Sequence, residues 1–483
     1  GSQFVINLVT TGVLARLLTP EDFGLVAMTA VVTSFMLVFK DAGLTSATIQ
    51  RENLTHEQAS TLFWINACTG VAIAAVLAVA APWIAAGFGD PRLTLITQAL
   101  GISFVIGGLT VQHQALLRRQ MRFKSLAARG VAASVIGSAT GISLAWAGAG
   151  YWALVAMTIA NAFANMVAVW LAIRWLPGPP RRAPGTRHLL RFGGDILISD
   201  LAAFFSRKVD SLLIGWFWGP IALGLYDKAY TLLLAPVKQI NRPLAAVFVP
   251  TLSRLSNEDA VRRRFFLHGL ESLASVSVPI ILAIAVFADE LVLLWLGAQW
   301  LECAHLFRLM AIAALAGAVT TPLGWLQVSA GQTRRYRRIA VTTAIVLVSC
   351  FAAGIRGGAQ GVAIAYSAGT LLLAVPVWYY GLRGSPVRLI DAGRAVAVPL
   401  ASGVPAAGVS WIAMQLLGHD INMWIRILAG MATFGAVYAG ILLGAFGRLT
   451  HLKEALRTMR QARSIAPGPA DKTAAAREDP VRP

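Results

Sequence analysis

Between Asp195 and Arg254 the chain reads DILISDLAAFFSRKVDSLLIGWFWGPIALGLYDKAYTLLLAPVKQINRPLAAVFVPTLSR. Two apolar segments meet at Gly219-Pro220. The first carries Asp200, Arg207, Lys208 and Asp210; the second carries Lys228, Lys238 and Arg242. A charged side chain at the bilayer centre costs about 2.5–3.5 kcal/mol on insertion scales, so such residues face a bundle interior or a water-filled cavity. Arg207 and Lys208 fall near the midpoint of their segment, and Lys238 near the midpoint of its own. The chemistry these residues offer is anion binding, Arg through paired donors and Lys as a compact charge. Asp200, Arg207 and Ser211 recur at helical spacing, and Arg207 can reach Asp210 three residues on, so that Asp210 would orient it. An ion pair that only steadies the bundle is the alternative reading; the surplus of Lys208, Lys238 and Arg242 favours an anion. Lys238 and Arg242 share a helix face, although Arg242 is equally placed to snorkel to the headgroups. Asp41 and Asp200 are candidates to carry a coupling proton or cation, with a local Lys40–Asp41 arrangement at a helix end as the plainer reading of the former.

The elements that position these residues must be membrane helices. The chain has 483 residues, 57% of them hydrophobic and 13% charged, which is an all-α polytopic membrane composition. Fourteen spans of about 20 residues are expected: 1–18, 23–46, 61–88, 93–116, 125–147, 151–175, 195–218, 221–252, 268–297, 303–329, 338–355, 359–381, 394–417 and 423–446. Alternate loops then sort by charge. One set contains LRRQMRFKS, PGPPRRAPGTRHLLR, SRLSNEDAVRRRFF, GQTRRYRR and LRGSPVRLIDAGR, with the C-terminal tail; the other holds only Arg16, Arg92 and Arg356. This asymmetry puts the basic loops and both termini in the cytoplasm. It also accounts for the net charge of +19 without nucleic acid. Helical sequence starts at Gly1 with no initiator Met, so a short basic leader is expected to be missing and the first span clipped. The tail at 447–483 opens with RLTHLKEALRTMRQAR, a possible surface helix on anionic lipid or a fraying extension, and ends in a compositionally disordered stretch.

The chain also echoes itself. LARLLTPEDFGLVAM at Leu14 matches IGWFWGPIALGLYDK at Ile214, with Pro20, Gly24 and Leu25 opposite Pro220, Gly224 and Leu225 at one offset. GAGYWALV at Gly148 resembles GGAQGVAIA at Gly357, and the basic turns LRRQMRFK and QTRRYRR correspond. Two six-helix lobes related by a parallel repeat follow, an N-terminal lobe over 1–176 and a C-terminal lobe over 195–382. A cytoplasmic linker at 177–194 joins them, and spans 13–14 at 394–446 are an addition. Transporters built this way carry their site at mid-membrane between the halves.

The remaining candidates read as structural. Cys68, Cys303 and Cys350 have no metal or redox spacing. His113 is a lone histidine near a helix end. Arg308 and Arg426 are expected to snorkel, and Asp289 and Glu290 to be interfacial. Trp83, Trp152, Trp216, Trp218, Trp295 and Trp300 mark the outer interface belt. No catalytic constellation, phosphate-binding glycine loop or cofactor motif stands in the sequence, so an enzyme is not expected.

LARLLTPEDFGLVAM, KDAGLTSATIQRENLT, LLRRQMRFKSLA, GAGYWALV, KVDSLLIGWFWGPIALGLYDKAY and PLAAVFVPTLSRL resemble the polysaccharide-exporter branch of the multidrug/oligosaccharidyl-lipid/polysaccharide (MOP) flippase superfamily, colanic-acid-type lipopolysaccharide flippases above all. The likeness covers most of spans 1–12 and departs in the absent leader and the longer basic, proline-containing tail. It implies a two-lobed transporter moving undecaprenyl-pyrophosphate-linked oligosaccharide repeat units across the inner membrane by alternating access, beside the polysaccharide assembly machinery, with possible proton or sodium coupling. A multidrug/cation antiporter of the same superfamily is the alternative; its cationic substrates favour an acidic cavity, whereas the mid-membrane charges here are mostly basic. A membrane polymerase or glycosyltransferase would need a sizeable outer loop or an acidic pair.

Overall fold

The computed structural model describes the backbone of residues 2–41, 55–173, 175–179, 186–255, 258–418 and 422–445, with the side chains of these apart from those at 41, 123, 186–203, 205–207, 242, 333 and 445. The C-terminal tail expected at 447–483 lies outside the described residues. Those described are helical, with no strand among them. In lipid a helix alone satisfies its backbone polar groups within one segment. Among the described residues ten helices are long and apolar enough to cross a membrane, against the fourteen spans expected. Two of the ten, Lys208–Asn241 and Arg334–Leu382, run through a break, at Gly219 and at Ile355–Gly357 respectively.

The first compact unit extends to Gly224. It contains α1 (Ser2–Leu17), α2 (Pro20–Asp41), α3 (His56–Phe88), α4 (Arg92–Arg119), α5 (Phe123–Trp146), α6 (Tyr151–Ala172) and the first arm of α7 (Thr186–Arg254). Helix α2 starts where Thr19 and Asp22 cap each other: Thr19 N–H and hydroxyl donate to Asp22 Oδ2 at 2.9 and 2.8 Å, and Asp22 N–H donates to Thr19 Oγ1 at 3.3 Å. Pro20 occupies the first helical position, where its missing N–H is no loss. Within the unit α3 packs along α4, α4 along α6, and α5 along α6. The α3–α4 contact is close because it is lined by small residues: a Cβ on Gly70 would stand 2.5 Å from the Phe104 carbonyl oxygen, and one on Gly108 2.5 Å from that of Asn66.

The second unit begins at Leu225. It contains the rest of α7, α8 (Asp259–Val286), α9 (Ala288–Trp295), α10 (Leu301–Ser329), α11 (Thr333–Gly354), α12 (Gly358–Leu382), α13 (Leu389–Leu416) and α14 (Met423–Gly440). Here α8 packs along α10, α10 along α12, α11 along α12, and α13 along both α8 and α14. Its core gathers Leu252, Phe266, Leu270, Leu273, Leu323 and Leu326.

Turns in the two units match in detail. After α4, Gln120 (φ −75, ψ 6), Met121 (φ 56) and Arg122 (φ −79, ψ 50) reverse the chain. After α10, Ala330 (φ −88, ψ 4), Gly331 (φ 67) and Gln332 (φ −82, ψ 46) do the same. Met121 N–H bonds Arg118 O and Arg122 N–H bonds Leu117 O; Gly331 N–H bonds Val328 O and Gln332 N–H bonds Gln327 O. Gly150 (φ 55, ψ −137) leads into α6 as Gly358 (φ 66, ψ −154) opens α12. These are the stretches paired by sequence above.

Candidate functional site

The two copies of the Pro-x-x-x-Gly stretch touch each other. Helix α7 breaks at Gly219 (φ 78, ψ −172), a conformation open to glycine, and Pro220 starts its second arm. A Cβ on Gly24 would lie 2.8 Å from Pro220 Cα and closer still to its carbonyl group; a Cβ on Gly224 would lie 3.0 Å from Gly24 N and press on the Pro20 carbonyl. The contact is reciprocal, residue by residue, as across a two-fold axis. From this crossing α2 runs antiparallel to the first arm of α7. A Cβ on Gly215 would meet Met28 Cγ at 3.3 Å, and the Phe35 and Phe204 rings lie 5.3 Å apart. By that register Asp210 is level with Val31–Thr33.

The charged residues of α7 distribute as follows. Asp210 is buried, and its Oδ1 accepts the Ser211 N–H at 2.7 Å. Lys208 is half-buried and, two residues away, projects from the opposite side of the arm. In the second unit Lys238 is exposed and lies 5.6 Å from the centroid of the Tyr230 ring, itself beside Tyr226 and Tyr366. Cys303 Sγ donates to Leu225 O at 3.3 Å, joining α10 to this arm. The side chains of Arg207, Arg242, Asp41 and Asp200 lie outside the described residues. In the first unit Lys208 and Asp210 thus stand on different faces of their helix arm, and in the second unit Lys238 stands against an aromatic ring.

The starts of α2 and α4 in the first unit form a polar network. Arg92 Nη2 bridges Glu21 Oε1 at 2.6 Å and Asp90 Oδ2 at 2.7 Å. It thereby joins the turn before α2 to the turn before α4. The Arg92 side chain hydrogen-bonded to Asp90 holds that carboxyl below the ordinary carboxylate range. The Thr19–Asp22 cap stands beside it, with Gly150 in contact range of Asp22.

Several expectations need correction. Arg426 does not snorkel: with its side chain 14% exposed it pairs with Glu290, itself 7% exposed, so that neither charge is isolated. Arg308 pairs with Asp289 in the same way at a more exposed position. Both pairs form because α9 sets two adjacent carboxylates at its N-terminus, facing α10 and α14. Trp300 is fully buried rather than in the belt, because the short turn Ala298–Trp300 tucks its ring inward. Trp83, Trp152, Trp216 and Trp218 are exposed, as a belt requires.

His113 is structural. Its ring stacks on Trp170 at 4.4 Å, and its Nε2 is 3.3 Å from Trp175 O. Trp175 Nε1–H donates to His56 Nδ1 at 3.0 Å, and Gly178 N–H donates to Ser60 Oγ at 2.9 Å, so the chain leaving α6 is strapped to the start of α3. Sequence reasoning missed Asn66, fully buried on α3 with neither amide atom hydrogen-bonded. An Asn inside the apolar run WINACTG was the available signal, since polar groups in a span are costly.

Residues 13–305 match the family described as "Polysaccharide biosynthesis protein". The chain is 28% identical over 333 residues to the teichuronic acid biosynthesis protein TuaB of Bacillus subtilis (strain 168), a stretch covering 68% of each chain. It is 25% identical over 321 residues to the succinoglycan biosynthesis transport protein ExoT of Rhizobium meliloti (strain 1021), covering 66% of this chain and 64% of that one. The match thus spans about two thirds of the length of these relatives. Among solved structures, the lipid II flippase MurJ in an inward closed conformation superposes with a TM-score of 0.73 at 12% identity, over 92% of this chain and 97% of that one. At that identity the likeness shows the fold.

Proposed function

The chain belongs to the polysaccharide biosynthesis protein family, and from that membership we propose that it is a flippase carrying undecaprenyl-pyrophosphate-linked oligosaccharide repeat units across the inner membrane. The family match over 13–305 is the observation that carries this reading. The names of relatives in teichuronic acid and succinoglycan biosynthesis support a glycan cargo, and the MurJ-like fold supports alternating access.

The architecture that fits is fourteen spans in two parallel lobes, 1–176 and 195–382, joined by the linker at 177–194. Spans 13–14 at 394–446 are added, and the basic loops, both termini and the tail lie on the cytoplasmic side. The matched turns at Met121 and Gly331, the matched glycines 150 and 358, and the reciprocal Gly24–Pro220 and Gly224–Pro20 contacts support the repeat. In this reading Arg207, Lys208, Lys238 and Arg242 receive the pyrophosphate and Asp210 orients Arg207. Asp41 or Asp200 carries a coupling proton or sodium ion that resets the empty carrier, and the polysaccharide assembly machinery takes the product. A cell interior that is negative drives an anion outward by about 2.3 kcal/mol per charge per 100 mV.

The test is export of surface polysaccharide from a strain whose own flippase is deleted. Arg207→Ala or Lys208→Ala abolishes export while the protein still inserts. Normal export by both variants removes the anion site from this hairpin. Flipping in proteoliposomes that is unchanged when proton and sodium gradients are collapsed removes the coupling.

A further inference from the structure

The Arg-rich ends of α11 and α12 hold a cluster of cations that the proposed transport site does not include. Arg335 Nη1 donates to Gln332 Oε1 at 2.7 Å and to the carbonyl oxygen of Arg383. The Arg335 guanidinium lies 5.9 Å from the centroid of the Tyr380 ring, and that of Arg383 lies 5.8 Å from the same ring. Arg383 also sits 4.9 Å from the Tyr379 ring and donates through Nη2 to its hydroxyl at 3.2 Å. Arg338 is exposed three residues on from Arg335, on the same face of α11. Two guanidinium groups therefore converge on one tyrosine, with Arg338 on the helix face that carries Arg335, and Arg334 and Arg337 exposed beside them.

No carboxylate balances this charge among the described residues. None of the ion pairs found there involves Arg334, Arg335, Arg337, Arg338 or Arg383. The carboxylate that follows in the chain, Asp391, is held by Arg263 at 2.7 Å. An orientation rule accounts for basic residues in a loop; it does not gather them around one ring. Like charges so close repel unless an anion lies among them. Arg335 turns one nitrogen inward to tie α11 to the end of α12, which fixes the fork; a fixed guanidinium fork matches phosphate oxygens. Tyr379, 57% exposed, and Tyr380 are the amphipathic rings that sit at headgroup depth.

We propose that Arg335, Arg338, Arg383 and Tyr380 form a binding site for a phosphate-bearing anion, supplied by the headgroup of an anionic phospholipid at the membrane boundary. A free phosphate compound would offer the same chemistry, so the test has an arm for each. The purified full chain in neutral detergent is titrated with phosphatidylglycerol, phosphatidylcholine and inorganic pyrophosphate, and bound ligand is counted by native mass spectrometry. Phosphatidylglycerol is retained over phosphatidylcholine. Arg335→Gln with Arg383→Gln weakens that retention about thirtyfold, at roughly 1 kcal/mol per basic residue facing a headgroup. Arg338→Gln, which leaves the α11–α12 tie intact, weakens it about fivefold and carries the test if the double variant does not fold. Arg264→Gln, an exposed arginine outside the cluster, changes nothing.

Pyrophosphate that displaces phosphatidylglycerol supports the phosphate chemistry. Pyrophosphate binding without phosphatidylglycerol binding overturns the lipid as its source. Equal retention of the two lipids, or full retention of phosphatidylglycerol by the arginine variants, overturns the site. Lys208→Ala is run alongside: retention that survives there and fails in Arg338→Gln separates this site from the proposed transport site, whichever of the two readings stands.

Discussion

Replacing Gly24 or Gly224 by alanine tests the reciprocal crossing of α2 and α7 directly. An alanine Cβ at residue 24 would stand 2.8 Å from Pro220 Cα, and one at residue 224 would stand 3.0 Å from Gly24 N. These neighbours are backbone, which cannot rotate away, so the helices must separate. Overpacking of this kind costs about 1–3 kcal/mol. Alanine recovers about 1 kcal/mol through helix propensity, which leaves each single variant up to about 2 kcal/mol less stable, and roughly 1–3 kcal/mol below an alanine control that gains the same propensity. The two contacts belong to one crossing, so the first alanine already opens the space the second needs. The double variant then falls short of the sum of the singles by at least about 0.5 kcal/mol, the scale of coupling between touching residues. The assay is reversible unfolding of the purified chain in mixed micelles. Gly393→Ala and Gly435→Ala are the controls, since nothing lies within 4 Å of a Cβ at either exposed helical position; these are neutral to stabilising. Crossing variants that behave like the controls, or whose effects add, would refute the close reciprocal contact.

Two further outcomes follow from the ion pairs. Glu290→Gln leaves the buried guanidinium of Arg426 without its charge partner and costs about 3–5 kcal/mol in the same unfolding assay; adding Arg426→Met restores much of it, and a neutral single variant would show that the pair is not desolvated. The folded-state value of Asp90 is lowered by its hydrogen bond from Arg92. Its contribution is therefore present above the unfolded carboxylate value of about 3.9 and is lost as pH falls through the lowered folded value. Unfolding followed from pH 6 to pH 2 shows that acid-side loss, and Arg92→Gln flattens it; an equal slope in both chains would remove the network from the starts of α2 and α4.

The charged hairpin at 195–254 was legible because Arg, Lys and Asp in an apolar run are conspicuous. Its break was legible because Gly219-Pro220 cannot continue a helix. The repeat was expected from weak matches, and the turns at Met121 and Gly331 adopt one conformation where two of those matches fall. The partners of Arg426 and Arg308 were not legible. Glu290 lies 136 residues from Arg426, and snorkelling and pairing leave the same trace in the sequence. Trp300 was misplaced for a related reason: a tryptophan beside an outer turn can face the interface or fold under it, and the direction of a three-residue turn decides which.

By itself the sequence determined that this is a helical membrane chain and which loops are basic. Those properties are local: each helix closes its own backbone hydrogen bonds, and Gly, Pro and Arg act where they stand. The tertiary structure alone decided which faces meet, namely Gly24 against Pro220, Glu290 against Arg426, and Arg335 with Arg383 at the Tyr380 ring. Lipid is as apolar as the core of a bundle, so an apolar side chain carries no mark of whether it faces lipid or a neighbouring helix. Only close packing makes that choice.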